Sequence, residues 1–194
     1  MRRNEEDCVG AIFSRMCLHY FDWSCKSLFQ VELKLLATQN SFHFFDRALI
    51  PIEIYEDKDE WQTWNVIGDP VLHIELRKWA DVFLIAPLDA NTMAKLSQGI
   101  CDNLLTCVAR AWDLTKPIFY CPAMNTHMWQ HPLTDEQNKK LECLNYKQIP
   151  PISKTLACGD TGMGAMADVS TIVSTVRSFI DSRILEQKNE IKDT

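Results

Sequence analysis

Apolar residues recur along this chain in two rhythms. Leu33–Ala37 and Ile52–Tyr55 are short apolar runs of strand length, and Val82-Phe83-Leu84-Ile85-Ala86 is continuous up to Pro87. Pro117-Ile118-Phe119-Tyr120-Cys121 has the same character and stops at Pro122. Apolar runs without polar alternation predict strands covered on both faces. Helical spacing fills the intervals. Asp69-Pro70 predicts an N-cap followed by proline at the first helical position, with Val71, Ile74, Leu76 and Trp79 facing inward. Leu104, Leu105, Val108, Ala111 and Trp112 predict a second helix, and Thr134-Asp135-Glu136-Gln137 a capping box that opens a third. Ile172, Val173, Val176, Phe179 and Ile180 predict a C-terminal helix whose charged end, Glu186–Thr194, is expected to fray.

Strands alternating with helices predict an α/β fold, a doubly wound parallel sheet of Rossmann-like (flavodoxin-like) type in a single domain. Ligands in such sheets sit at the carboxyl ends of the strands. The loops expected there are Pro87–Thr92 and Pro122–Asn125. Residues 1–30 depart from the pattern: they hold one glycine, Gly10, and no Gly-x-Gly turn. A nucleotide-binding α/β domain ordinarily opens with a strand and a glycine-rich phosphate loop. The expected organisation is a divergent segment 1–30, a domain over 31–182, and a charged tail 183–194.

Composition narrows the function classes. The 194 residues suit one domain, and 46% hydrophobic residues provide for a core. Lys plus Arg number 20 against 26 Asp plus Glu, so no general phosphate-tracking surface is expected and nucleic acid is not an expected partner. The apolar stretch Ala11–Gln30 is broken by Arg15, Asp22 and Lys26, and Val82–Leu88 is too short to span a bilayer, so no membrane association is expected. Met1-Arg2-Arg3 runs into Glu5-Glu6-Asp7, which suits neither a secretory signal nor a transit peptide and leads to an expected cytoplasmic location. The eight cysteines form no Cys-x-x-Cys and show no zinc-finger spacing to histidine, so no metal site is expected and most thiols are expected to be buried and reduced. Cys158 differs. It opens a segment with Gly159, Gly162 and Gly164, which predicts a mobile loop able to carry a thiol over a pocket.

Candidate chemistry concentrates in four segments. They are Asp69–Leu76 with His73, Ala86–Thr92, Pro122–Trp129 with Asn125, and Leu156–Ala167 with Cys158. Taken singly, each also admits a plainer part: an incidental histidine on a capped helix, helix caps at Asn91 or Thr92, core methionines, a passive surface cysteine.

Taken together and in order, the segments DPVLHI (69–74), APLDANT (86–92), ICDNLLTCVARAW (100–112), PAMNTHMW (122–129) and ACGDTGMGAMA (157–167) resemble the phosphopantothenoylcysteine decarboxylases. Those enzymes are homo-oligomeric flavin-containing cysteine decarboxylases, with the plant halotolerance-type flavoproteins among their nearest forms. The resemblance covers about residues 31 to 180. It implies FMN as cofactor, 4′-phospho-N-pantothenoylcysteine as substrate, 4′-phosphopantetheine as product in coenzyme A synthesis, and a homotrimer with flavin sites between subunits. Losing CO₂ from an unactivated cysteine would leave an unstabilised carbanion; in the family the thiol side is first oxidised to a thioaldehyde, the charge is held as an enethiolate, and the flavin takes and returns a hydride. By position, the resemblance assigns His73 and Cys158 to catalysis, the first as acid/base and the second as proton donor to the enethiolate. It assigns Asn125, Met128, Leu156 and Ala157 to the substrate. It assigns Thr38, Gln39, Asn40, Asp89, Ala90, Asn91, Thr92 and Ala123 to FMN.

Two departures stand out. Lys78 occupies a place where the family usually has arginine, keeping the charge but not the planar fork. The family's first strand and its Gly-Ser-Val phosphate loop have no counterpart in residues 1–30. Two other readings stay open: a non-catalytic or regulatory subunit that joins complete protomers in a mixed trimer, and a related flavin enzyme acting on another peptidyl cysteine.

Overall fold

The computed structural model describes residues 9–14, 32–155, 159 and 161–190. In chain order the elements are β1 (Val9–Ser14), β2 (Glu32–Ala37), two short 3-10 helices (Gln39–His43 and Arg47–Leu49), β3 (Glu53–Tyr55), α1 (Asp57–Thr63), α2 (Leu72–Trp79), β4 (Val82–Leu88), α3 (Ala90–Gln98), α4 (Leu104–Arg110), β5 (Ile118–Pro122), α5 (Thr126–Trp129), α6 (Pro132–Cys143), β6 (Tyr146–Gln148), β7 (Ile152–Thr155), β8 (Thr161–Ala165) and α7 (Val169–Glu190).

Six strands form one sheet in the order β3-β2-β1-β4-β5-β6, and β7 pairs with β8 in a separate hairpin. The order is that of doubly wound dinucleotide folds. The sheet is mixed, however, because β1 runs antiparallel to both of its neighbours, with Val9 opposite Ala37 and Gly10 opposite Ile85. β2 and β3 run parallel, as do β4, β5 and β6. An interior strand thus lies within residues 1–30, in reverse. The apolar run Val9–Phe13 suits an interior place, and only the partner registers fix its direction.

Alternate residues serve opposite faces. Leu36, Phe83, Ile85, Ile118, Tyr120 and Tyr146 point into a core shared with Leu76 of α2, Met93 of α3, Leu104, Leu105 and Val108 of α4, and Leu141 of α6. Leu35, Ala37, Ile54, Val82, Leu84, Phe119 and Cys121 face the other core, closed by Ile172 and Val176 of α7. Burial on both sides explains the unbroken apolar runs. Trp112 packs on Phe83 with ring centroids 5.3 Å apart.

Two helix starts differ from the sequence expectation, each through a competing local bond, and one segment expected as a loop is a strand. α2 begins at Leu72 with Val71 as N-cap. The Asp69 carboxylate instead accepts the N–H groups of Asn65 and Val66, at 2.8 and 2.9 Å, and closes a turn ahead of the helix. α6 begins two residues before Thr134: Pro132 takes the first turn, the His131 ring caps it by accepting from the Leu133 N–H at 3.2 Å, and the Thr134 hydroxyl donates to the Met128 carbonyl at 2.6 Å. Thr161–Ala165, expected within a loop, is strand β8. α7 continues into the charged segment as far as Glu190.

Among the described cysteines, Cys101 and Cys143 are exposed, Cys107 is half-buried and Cys121 is buried, so burial is less general than expected. No helix among the described residues is long and apolar enough to cross a membrane.

Candidate active site

Since β2, β4 and β5 are parallel, their carboxyl ends share one edge of the sheet, and three segments gather there. Thr38 follows β2 and is buried; its carbonyl accepts the Ser41 N–H at 3.0 Å and the Ser41 hydroxyl at 2.7 Å. Gln39, exposed, and Asn40, half-buried, open the 3-10 helix that follows. Asp89 follows β4 and caps α3 by accepting the Thr92 N–H at 2.9 Å. The cap is therefore Asp89, not Asn91 or Thr92, and Thr92 is buried while Ala90 and Asn91 are half-buried. Ala123 follows β5, and its N–H donates to the Leu88 carbonyl at 2.9 Å.

These groups suit the ring of a flavin. Thr38, Gln39, Asn40 and Asn91 offer neutral donors and acceptors, which match a planar heterocycle whose rim alternates carbonyl and N–H groups. Ala90 and Ala123 are small enough to let it approach, and α3 presents the N–H groups of its first turn. At this edge β1 contributes its first residue rather than its last. A phosphate loop following β1 would lie at the opposite edge.

The Pro122–Trp129 segment leaves the same edge. Asn125 caps α5, its Oδ1 accepting the His127 N–H at 2.8 Å, and Met128 is half-buried one turn on. β8 lies directly against this loop. The Met124 N–H donates to the Gly164 carbonyl at 2.9 Å, and Gly164 has φ +140°. A Cβ on Gly162 would stand 2.6 Å from the Thr126 hydroxyl, so the strand approaches by having no side chain there. That hydroxyl is buried and has no hydrogen-bond partner among the described residues. Leu156, Ala157 and Cys158, in the connection between β7 and β8, lie outside the described residues.

His73 sits in the first turn of α2, and its polar surroundings come from α1 and α4. Nδ1 contacts Glu60 Oε1. The ligand-type atoms of Glu60, His73 and Cys107 all lie within 4.8 Å of one another. Burial, aided by the charge of Glu60, pushes the Cys107 thiol up to about 11. Lys78, in the place of the family arginine, is exposed and paired with Glu75 at 2.8 Å.

Sequence reasoning missed Glu60, Cys107 and Thr126. Thr126 adjoins Asn125 and Cys107 lies inside ICDNLLTCVARAW, but α1 offers no apolar stripe to announce Glu60. Its signal is the reciprocal cap of Glu56 and Asp59, the Glu56 N–H donating to Asp59 at 2.7 Å.

Residues 25–181 match the family described as Flavoprotein. A phosphopantothenoylcysteine decarboxylase of Arabidopsis thaliana is 52% identical over 182 residues, 92% of this chain and 84% of that protein. The chain belongs to the flavoprotein family of the phosphopantothenoylcysteine decarboxylases. A mouse member is 54% identical over 150 residues, 77% of this chain and 74% of its own length. Two solved members share the fold. A cysteine-to-serine variant of a PPC decarboxylase complexed with pantothenoylaminoethenethiol has a TM-score of 0.75 at 56% identity, covering 76% of this chain and 82% of that one. The FMN-binding protein AtHal3 has a TM-score of 0.72 at 57% identity, covering 77% and 82%.

Proposed function

We propose that this chain is an FMN-dependent phosphopantothenoylcysteine decarboxylase, converting 4′-phospho-N-pantothenoylcysteine to 4′-phosphopantetheine and CO₂ in coenzyme A synthesis. One structural observation carries the reading beyond family membership. The loop bearing Asn125 is joined to β8 by the main-chain bond from Met124 to Gly164, so the β7–β8 hairpin is seated on the segment that carries the proposed carboxylate-binding residue.

Bound between Thr38–Asn40, Asp89–Thr92 and Ala123, FMN supplies reversible hydride chemistry that makes the cysteine carboxyl labile. The protein's own residues bind and move protons. The Asn125 amide, whose Oδ1 accepts the His127 N–H, is the proposed partner of the substrate carboxylate. Met128 supplies apolar contact beside it, and Leu156 and Ala157 are the further substrate-binding residues of this reading. His73 takes a proton as the thiol is oxidised. After CO₂ leaves, Cys158 returns a proton to the enethiolate carbon.

The working form is a homotrimer. Trp61, Trp64 and Ile67 lie on the same α1–α2 stretch as His73, and Ile67 is 96% exposed, which supports an assembly that covers this face and places the site between subunits.

The test is direct. The purified chain, incubated with FMN and then substrate, should release 4′-phosphopantetheine and CO₂, read by mass spectrometry. Cys158→Ser should accumulate the oxidised enethiol, and His73→Asn should abolish bleaching of the flavin by substrate. Normal product from Cys158→Ser would refute the role of that thiol.

The reversed direction of β1 favours one alternative, a non-catalytic subunit that joins complete protomers. A chain that stays colourless with added FMN would select it.

A further inference from the structure

His73 is held in a small polar cluster that none of the assigned roles uses. Asp57 at the start of α1 accepts the Leu104 N–H at the start of α4, at 2.8 Å. Three residues further along each helix come Glu60 and Cys107, which therefore face each other one turn on. His73, from α2, completes the group with Nδ1 against Glu60 Oε1. Both side chains are largely sheltered, His73 being 25% exposed and Glu60 15%.

The chemistry of the partners fixes the proton. An ionised carboxylate only accepts, so its hydrogen bond to Nδ1 requires the proton on that nitrogen, and a neutral ring then carries its lone pair on Nε2. The same proton occupies the Nδ1 lone pair that a metal ion would need, and three ligand atoms fall short of a closed four-ligand zinc site. Among the described residues, the other titratable groups acting on Cys107 are Asp57 on α1 and Cys101 and Asp102 just before α4. The Cys107 thiol, pushed up mainly by burial, is neutral near pH 7. Among the described residues, Glu60 is the carboxylate bonded to the ring.

We propose that Glu60 is a positioning residue: it fixes the ring orientation of His73 and its Nδ1-protonated tautomer, making Nε2 the atom that receives the substrate's proton. This rests on the reading of His73 as the acid/base. When Nε2 takes the proton, the imidazolium forms already bonded to an anion, and charge separation costs less than it would beside a neutral partner.

The test uses the full chain labelled with ¹⁵N-histidine, alone and reconstituted with FMN. His73→Asn identifies the His73 resonances by their loss. In the wild type these should report hydrogen on Nδ1 and a lone pair on Nε2. Glu60→Ala should give a mixture of tautomers, and kcat should fall about 10- to 100-fold with KM within about twofold. Glu60→Gln keeps the side-chain volume and an accepting oxygen, so it should retain the tautomer while losing part of kcat. It also keeps the question open to measurement if the alanine variant folds poorly. A wild-type tautomer in Glu60→Ala overturns the proposal, whatever happens to kcat. Undiminished activity in His73→Asn would instead overturn the reading of His73, leaving the tautomer measurement to judge Glu60 separately.

Discussion

A Cβ atom on Gly164 would stand 2.2 Å from the carbonyl oxygen of Met124, in a strand whose own carbonyl holds the Met124 N–H at 2.9 Å. The φ of +140° at Gly164 also disfavours any L side chain. Gly164→Ala must therefore push β8 off the Asn125 loop. A stability loss of roughly 2–4 kcal/mol is expected in chemical denaturation, from strain and steric overlap together. Substrate KM should rise as well. A midpoint equal to wild type would show that the hairpin is not seated this way.

Thr126 presents a buried hydroxyl with no partner among the described residues, next to the residue proposed to hold the substrate carboxylate. Thr126→Val removes that unsatisfied group while keeping the shape. The ligand-free protein should gain about 1 kcal/mol, and substrate binding should weaken if this hydroxyl is kept for the ligand. Thermal melts with and without substrate separate the two effects.

Asp57 has a pH signature. Burial raises its carboxyl above the ordinary 3.8, with the Leu104 N–H pulling the other way and Glu60, Asp102 and Glu56 adding to the rise. The folded state thus holds this proton more tightly than the unfolded chain. The resulting stability is fully present below the unfolded pKa and is lost as pH rises through the folded one. Asp57→Asn removes the loss but keeps an oxygen for Leu104. Its stability relative to wild type should improve as pH climbs from 3.8 upward. A difference independent of pH over that range would contradict the assignment.

Thiol reactivity should follow exposure. Cys101 and Cys143 are exposed, whereas burial pushes Cys107 up to about 11 and Cys121 up to about 12. Since the thiolate is the nucleophile, iodoacetamide at about pH 8 should modify Cys101 and Cys143 well before the other two. Peptide mass mapping over time reads the order.

The exposed face near α1 gives the assembly test. Ile67→Asp places a charge on the most exposed of its large apolar residues. Sedimentation should show the proposed trimer shifting to smaller species, with decarboxylation falling in step. A trimer that survives this substitution would place the interface elsewhere.

Much of the sheet was legible because burial on both faces leaves an unmistakable apolar run, as in Val82–Ile85 and Ile118–Cys121. The three segments expected at FMN do meet at one edge, which follows from the parallel order of β2, β4 and β5. Other features depend on partners that a linear pattern does not contain. The apolar run of β1 carries no mark of its direction. α1 is polar almost throughout and is held by its Glu56–Asp59 cap and by the Asp57–Leu104 bond, so periodicity misses it. Gly162 and Gly164 speak against a strand, yet β8 uses them because backbone and Thr126 come too close for side chains. Asp69 was available as a helix cap and was taken by nearer donors at Asn65 and Val66.

The central strand has a consequence for how this protein is made. β1 alone bridges β2 on one side and β4 on the other, and Phe83, opposite Ile12, is synthesised long after it. A growing chain can pair β1 with β2 early, but must then carry an open strand edge until β4 leaves the ribosome. Translation speed and chaperone supply over that interval should therefore govern how much native protein a cell obtains.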